Sequence, residues 1–300
     1  MAEVDLLAVA VRLALYGAIG LAFGYPLFWL CGVEASGRAA LPLHGLIGVS
    51  AAVGVAASLL GLAVLASSMS GVPLADVDRA SLLMVATMPG IGTAWLVRVA
   101  ALLLLAGIAS IGPPRRLLAV SAAALGGVAL ASLAWTGHAT MSEGSLADVH
   151  LAADIAHLLA AAAWLGALVG LIMLSGSTSS PPLAFQRAAG NFAVAGSVIV
   201  GVLVFTGLIN VWAIVGLDRI VAALGGPYGQ LLVVKLLLFA AMLGLAARHR
   251  FQLTPKLAAT DDPARATALL RRSIVVEVAA AVAILTVVAA LGLLDPTGAS

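Results

Sequence analysis

Charge is what this 300-residue chain has least of, since only 9% of its residues are Asp, Glu, Lys or Arg while 63% are hydrophobic. A soluble globular chain carries roughly 25% charged residues, so a water-soluble fold is excluded. Cysteine is nearly absent. Cys31 stands alone, which excludes a disulfide framework and a multi-thiolate metal site. Net charge is +2 and no Lys/Arg-rich tract occurs, so nucleic acid is not a partner. No Walker motif, Gly-x-Ser-x-Gly elbow or Cys-x-x-Cys is found, leaving no support for ATP-driven transport or a thiol metal relay, and the chain is read as a non-enzyme. The start, Met-Ala-Glu-Val-Asp, lacks the positive region of a cleaved signal peptide, so the first apolar run is expected to remain a membrane helix.

What is present is a series of apolar runs of about 20 residues, each long enough to cross a hydrocarbon core of ~30 Å. They predict an all-α polytopic membrane protein, a bundle of eight transmembrane helices over residues 6–31, 44–66, 91–111, 116–135, 150–174, 188–214, 228–249 and 273–294. Most connections are short, so residues 1–300 read as a single transmembrane domain. Segment 79–90 reads as an interfacial helix or a re-entrant piece.

Basic residues orient the bundle. Arg38, Arg115, Arg116, Arg187, Arg248, Arg250, Lys256, Arg265, Arg271 and Arg272 fall in loops on one side, and only Arg79 and Arg219 on the other. Ten against two places the first set in the cytoplasm and both termini outside. Arg12, early in span 1, must snorkel outward or find a partner. A weak 4+4 parallel repeat also shows: Gly92 to Arg98 opens span 3 as Gly229 to Lys235 opens span 7, each with a base six residues after a glycine. In that register Leu15 and Gly24 of span 1 correspond to His157 and Gly166 of span 5. Such symmetry is common in transporters, whose sites lie where repeats meet.

Three of the five histidines, His138, His150 and His157, cluster at the outer ends of spans 4 and 5. On a helix His150, Asp154 and His157 stand at i, i+4 and i+7 and share one face. Met141 follows His138 closely, and Met69, Met84 and Met88 also fall on the outer side. Imidazole and thioether are borderline to soft ligands that suit copper better than magnesium or calcium. The proposed metal set is therefore His138, His150, His157, Met141 and Asp154, with His150 placed toward the water layer.

An intramembrane carboxylate or base costs ~2.5–3.5 kcal/mol on insertion scales, which marks Asp154, Arg98 and Lys235 as bundle-facing. Asn210 falls at the same depth, and Trp164 lies deep in span 5 below His157. Arg98, Asn210, Lys235 and Trp164 are read as intramembrane support for the metal set, either by direct participation or as an internal salt-bridge network. Glu277 reads as structural, near the cytoplasmic surface. His44 and His249 read as cytoplasmic interface residues, with an exit site as the alternative. Cys31 reads as a buried small hydrophobe, and Trp29, Trp212 and Tyr228 as interfacial anchors.

Several segments resemble one family together, in order and spacing. They are Trp135-Thr-Gly-His138-Ala, His157 through Trp164-Leu-Gly166, Gly207-Leu-Ile-Asn210, Pro227-Tyr-Gly229 through Lys235, Arg248-His-Arg250 with Pro255, and Arg271-Arg272-Ser273 through Glu277. With Arg98 of span 3, they resemble the bacterial copper-resistance D (CopD) family across almost the whole chain. The resemblance implies an eight-span inner-membrane protein that carries copper, as Cu(I) or Cu(II), from periplasm to cytoplasm beside a separate periplasmic CopC-like protein. Carried over, His138 and His157 become the principal histidines. Family members often have a histidine early in span 1, where this chain reads Arg12-Leu-Ala-Leu15-Tyr16. Two readings from other classes stand beside transport: a redox protein holding b-type haem between histidines of spans 4 and 5, and a non-transporting copper receptor or scaffold.

Overall fold

The computed structural model describes residues 5–136, 145–177, 182–216, 225–253 and 263–294. Its helices are α1 (Leu6–Cys31), α2 (Ala35–Arg38), α3 (Leu43–Ser70), α4 (Arg79–Ala86), α5 (Ile91–Ser110), α6 (Arg115–Ala131), α7 (Ser145–Gly176), α8 (Pro182–Val215), α9 (Pro227–Arg248) and α10 (Pro263–Leu291). Apart from the short α2 and α4, all are long and apolar enough to cross a membrane. Helix is the local solution because lipid offers the backbone no hydrogen-bonding partner.

The ends follow from local chemistry. Asp5 accepts from the amides of Leu7 and Ala8 at 2.9 and 3.2 Å and starts α1. Gly71, at φ 69°, adopts the left-handed conformation that closes α3, its N–H returning to Ser67. Asp78 starts α4 by accepting from the Ser81 amide at 2.8 Å, which holds its exposed carboxyl below the usual range. The 79–90 segment is thus a short helix packed on α3 and α5.

Three helices begin earlier than hydropathy indicates. α7 starts at Ser145, α8 at Pro182 and α10 at Pro263, so Arg187, Arg265, Arg271 and Arg272 ride on helices instead of loops. Hydropathy marks where lipid begins, whereas backbone hydrogen bonding continues through polar interfacial residues. α6 differs the other way, tightening after Ala131 into a 3-10 turn over Ser132–Thr136.

α1 is the axis of the bundle, packing against α3, α6, α7 and α10. Small residues set these crossings. A Cβ on Gly24 would collide with the backbone of Ala162, and one on Gly166 with the backbone of Gly24 and Tyr25. One on Gly126 of α6 would come within 2.9 Å of the Ala22 backbone. Lipid supplies no hydrophobic drive between helices, so close backbone approach of this kind is what holds them together. The two halves differ. α3 and α5 pack closely, but α8 and α9 scarcely meet, and only Tyr228, Gly229 and Met242 of α9 are buried.

The chain crosses back and forth so that α1 begins, α7 begins and α10 ends at one end, here called the upper end. Arg12 finds its place there, its guanidinium filling the space beside Gly292 at the end of α10. A cation at a helix C-terminus meets the unpaired carbonyls of the last turn. Three expectations are corrected. Trp29 is buried, donating from Nε1 to the Arg38 carbonyl at 3.2 Å beneath the guanidinium groups of Arg38 and Arg115. Tyr228 is also buried in the protein, leaving Trp212 as an exposed aromatic. Cys31, the last residue of α1, is exposed.

Candidate metal-binding site

α7 runs unbroken from Ser145 to Gly176, so His150, Asp154 and His157 do share a face. That face meets α8. Asn210 donates from Nδ2 to Asp154 Oδ1 at 3.2 Å, and one turn further along each helix His157 Nδ1 lies 2.9 Å from Thr206 Oγ1. The Thr206 hydroxyl spends its proton on the Val202 carbonyl, at 2.6 Å. It must therefore accept from His157, which puts the imidazole proton on Nδ1 and leaves Nε2 with a free lone pair. This is the arrangement of an imidazole ready to bind a metal, with a partner fixing its tautomer.

Gly207 lies beside the ring, where a Cβ would stand at ordinary van der Waals distance, 3.6 Å from His157 Cε1. Asn210 Oδ1 is buried without a hydrogen-bond partner. A buried unpaired oxygen beside a carboxylate and an imidazole is the kind of donor a cation would satisfy.

His157 and Gly207 border a cavity of about 350 Å³ where α8 and α9 separate, lined also by Tyr16, Trp164, Lys235 and Met242 among apolar neighbours. Lys235, on its wall, and Asp154 attract one another without closing to an ion pair among the described residues. Tyr16 lies within electrostatic reach of both Asp154 and Arg98. Trp164 ends the cavity below, its indole donating to Glu277 Oε1 at 2.7 Å.

Not every expected residue converges. His150 is 1% exposed, so it belongs inside the protein and not in the water layer. The physical reason is the early start of α7, which carries its first turns into the bundle. Arg98 is buried on α5 but does not line the cavity, and its Nε and Nη1 lack hydrogen-bond partners. His138 and Met141 lie outside the described residues. Met69 and Met84 are exposed on α3 and α4, away from this cavity. Among the described residues no group of three or more His, Cys, Asp or Glu side chains converges as a metal site. His44 approaches the Pro113 carbonyl at 2.9 Å.

Residues 1–149 match the family model described as copper resistance protein D-like, N-terminal domain, and residues 186–291 match the model described as copper resistance protein D. The copper resistance protein D of Pseudomonas syringae pv. tomato is 39% identical over 97% of each chain. The chain belongs to the copper resistance protein D family. Two further relatives match part of it. The inner membrane protein YebZ of Escherichia coli K12 is 33% identical over 44% of this chain and 45% of its own. The copper transport protein CutJ of Bacillus subtilis 168 is 34% identical over 42% of this chain and 23% of its own. No solved structure matches with significance.

Membership of the copper resistance protein D family agrees with the eight apolar helices and with copper-related function. Sequence reasoning missed Thr206 and underrated Glu277. Glu277 is wholly buried, where the expectation placed it near the surface. The signal available was charge scarcity: a lone carboxylate in an apolar run is expensive wherever it stands.

Proposed function

We propose that this protein moves copper across the bacterial inner membrane from periplasm to cytoplasm, the upper end of the bundle facing the periplasm. His138, His150, His157 and Met141 capture the ion there, with Asp154 as a ligand or a charge partner. Asn210, Lys235, Arg98 and Trp164 support the set from the surrounding helices. The two halves work as one domain around α1 and α7, and copper is delivered by a separate periplasmic CopC-like protein.

The observation that carries this reading is His157 itself. Thr206 holds its imidazole in the tautomer that frees Nε2, on the wall of an apolar cavity that also takes in Lys235. Beside it Asp154 and Asn210 add oxygens, so nitrogen and oxygen donors gather in a region where polar groups are costly. A relative named as a copper transport protein supports the choice of cargo. A net positive charge from Lys235 sets a limit on affinity, which suits a site that must release its ion.

The test is copper uptake into proteoliposomes by the wild type, His157→Ala and His138→Ala, with metal content and absorption spectrum recorded on the same samples. Uptake that falls at least tenfold in His157→Ala is the expected result. Binding without flux in the wild type makes the protein a receptor, and a Soret band makes it a haem protein. Unchanged uptake in both variants removes the site.

A further inference from the structure

Glu277 of α10 is the group that capture at the upper end does not use. It is fully buried, and its two oxygens are treated differently. Oε1 accepts from Trp164 Nε1 at 2.7 Å. Oε2 has no hydrogen bond, although His249 Nδ1 lies 3.0 Å away, at hydrogen-bond distance but outside hydrogen-bond geometry. His249 Nε2 is in turn 2.6 Å from Ser273 Oγ.

The charges around the pair are unbalanced. Arg250, next in sequence to His249, is drawn away to the Ala193 carbonyl at 3.1 Å and to Ser197 Oγ. Among the described residues neither Lys nor Arg pairs with Glu277, whose salt-bridge partner is His249 alone. A buried carboxyl oxygen without a hydrogen-bond donor, beside an imidazole nitrogen, is a donor pair that a bound cation would satisfy.

Access comes from below. A second cavity of about 350 Å³ is lined by Trp164, Phe192, Ser197, His249 and Arg250. Trp164 also ends the upper cavity, so one indole separates the two spaces. Glu277 stands behind that wall and holds it.

We propose that Glu277 and His249 form a second copper station on the far side of Trp164 from His157, taking a borderline cation through one carboxylate oxygen and one imidazole nitrogen. This rests on the reading of copper as cargo. With bond lengths of about 2.0–2.1 Å, donors 3.0 Å apart subtend about 95° at the metal, a normal angle between adjacent ligands. Two protein donors make a weak site, as a transit station requires if the ion is to leave. The carboxylate that receives the ion also latches Trp164, so filling the station and moving the partition draw on the same group.

The experiment uses the full chain in lipid nanodiscs, titrated with Cu(II) supplied as its glycine complex. Bound copper is counted, nitrogen superhyperfine structure is recorded by electron paramagnetic resonance, and folding is checked by thermal unfolding. Glu277→Gln keeps an amide oxygen for Trp164, and His249→Ala removes a side chain that is 13% exposed, so a folded protein is expected from at least one. Each variant is expected to lose one copper equivalent, or at least tenfold in affinity for it, with one nitrogen gone from the His249→Ala signal, while His157→Ala retains that equivalent. Wild-type binding in a folded Glu277→Gln or His249→Ala overturns the station. Loss of all copper in His157→Ala also overturns it as an independent site. If only the Glu277 and His249 variants lose copper, the station stands and capture at His157 falls; a wild type that binds none overturns both.

Discussion

Trp164 of α7 and Glu277 of α10 are joined by a hydrogen bond of 2.7 Å at the point where two cavities meet back to back. A path between the cavities along the wall they share displaces this indole. Trp164→Phe keeps most of the ring but leaves a buried carboxylate oxygen without its donor, a loss of about 1–3 kcal/mol. A lowered thermal midpoint with faster copper leak through proteoliposomes is the expected outcome. An unchanged midpoint and unchanged leak would show that the partition lies elsewhere.

Gly166 allows α7 to touch α1 at Gly24 and Tyr25. Gly166→Ala puts a methyl group into backbone that no rotamer change can move. The helices must separate, at a cost of about 1–3 kcal/mol or more. Denaturation in detergent reads this directly, and Gly45→Ala, where a Cβ meets nothing within 4 Å, is the matched control expected to stay near wild type.

Thr206→Val retains the shape of the side chain and removes the oxygen that orients His157. Loss of such a supporting hydrogen bond typically weakens metal binding about 10–100-fold. Copper titration of the folded variant is the measurement. Equal affinity would mean that the tautomer of His157 has no part in binding.

Lys235 opposes any cation held at Asp154 and His157. Lys235→Met removes that repulsion, and affinity for copper is expected to rise at least tenfold, since one charge even about 12 Å away in a medium of effective dielectric near 20 contributes about 1.4 kcal/mol. The metal-free variant should unfold more easily, because Asp154 loses the charge that attracts it. Weaker copper binding in this variant would instead make Lys235 part of the site's scaffold.

Cys31 is the one cysteine and is exposed at the lower end of α1. A membrane-impermeant maleimide is expected to leave it unlabelled in intact spheroplasts and to label it after permeabilisation. Labelling in intact cells would invert the proposed orientation.

The sequence by itself determined that this chain crosses a membrane eight times, because the length of an apolar run and the thickness of a bilayer are both fixed quantities. It also placed His150, Asp154 and His157 on one helical face, since helical periodicity is local. Tertiary structure alone decided their partners. Thr206 stands 49 residues from His157, and Glu277 stands 113 from Trp164, separations at which no periodicity carries information. It also decided that Trp29 and Tyr228 turn inward, and that α8 and α9 part to leave a cavity where α3 and α5 close. Hydropathy measures affinity for lipid, and in a chain where almost every face is apolar it does not tell a helix's lipid side from its protein side. That choice is made by glycines that allow contact and by the few polar groups that must find each other.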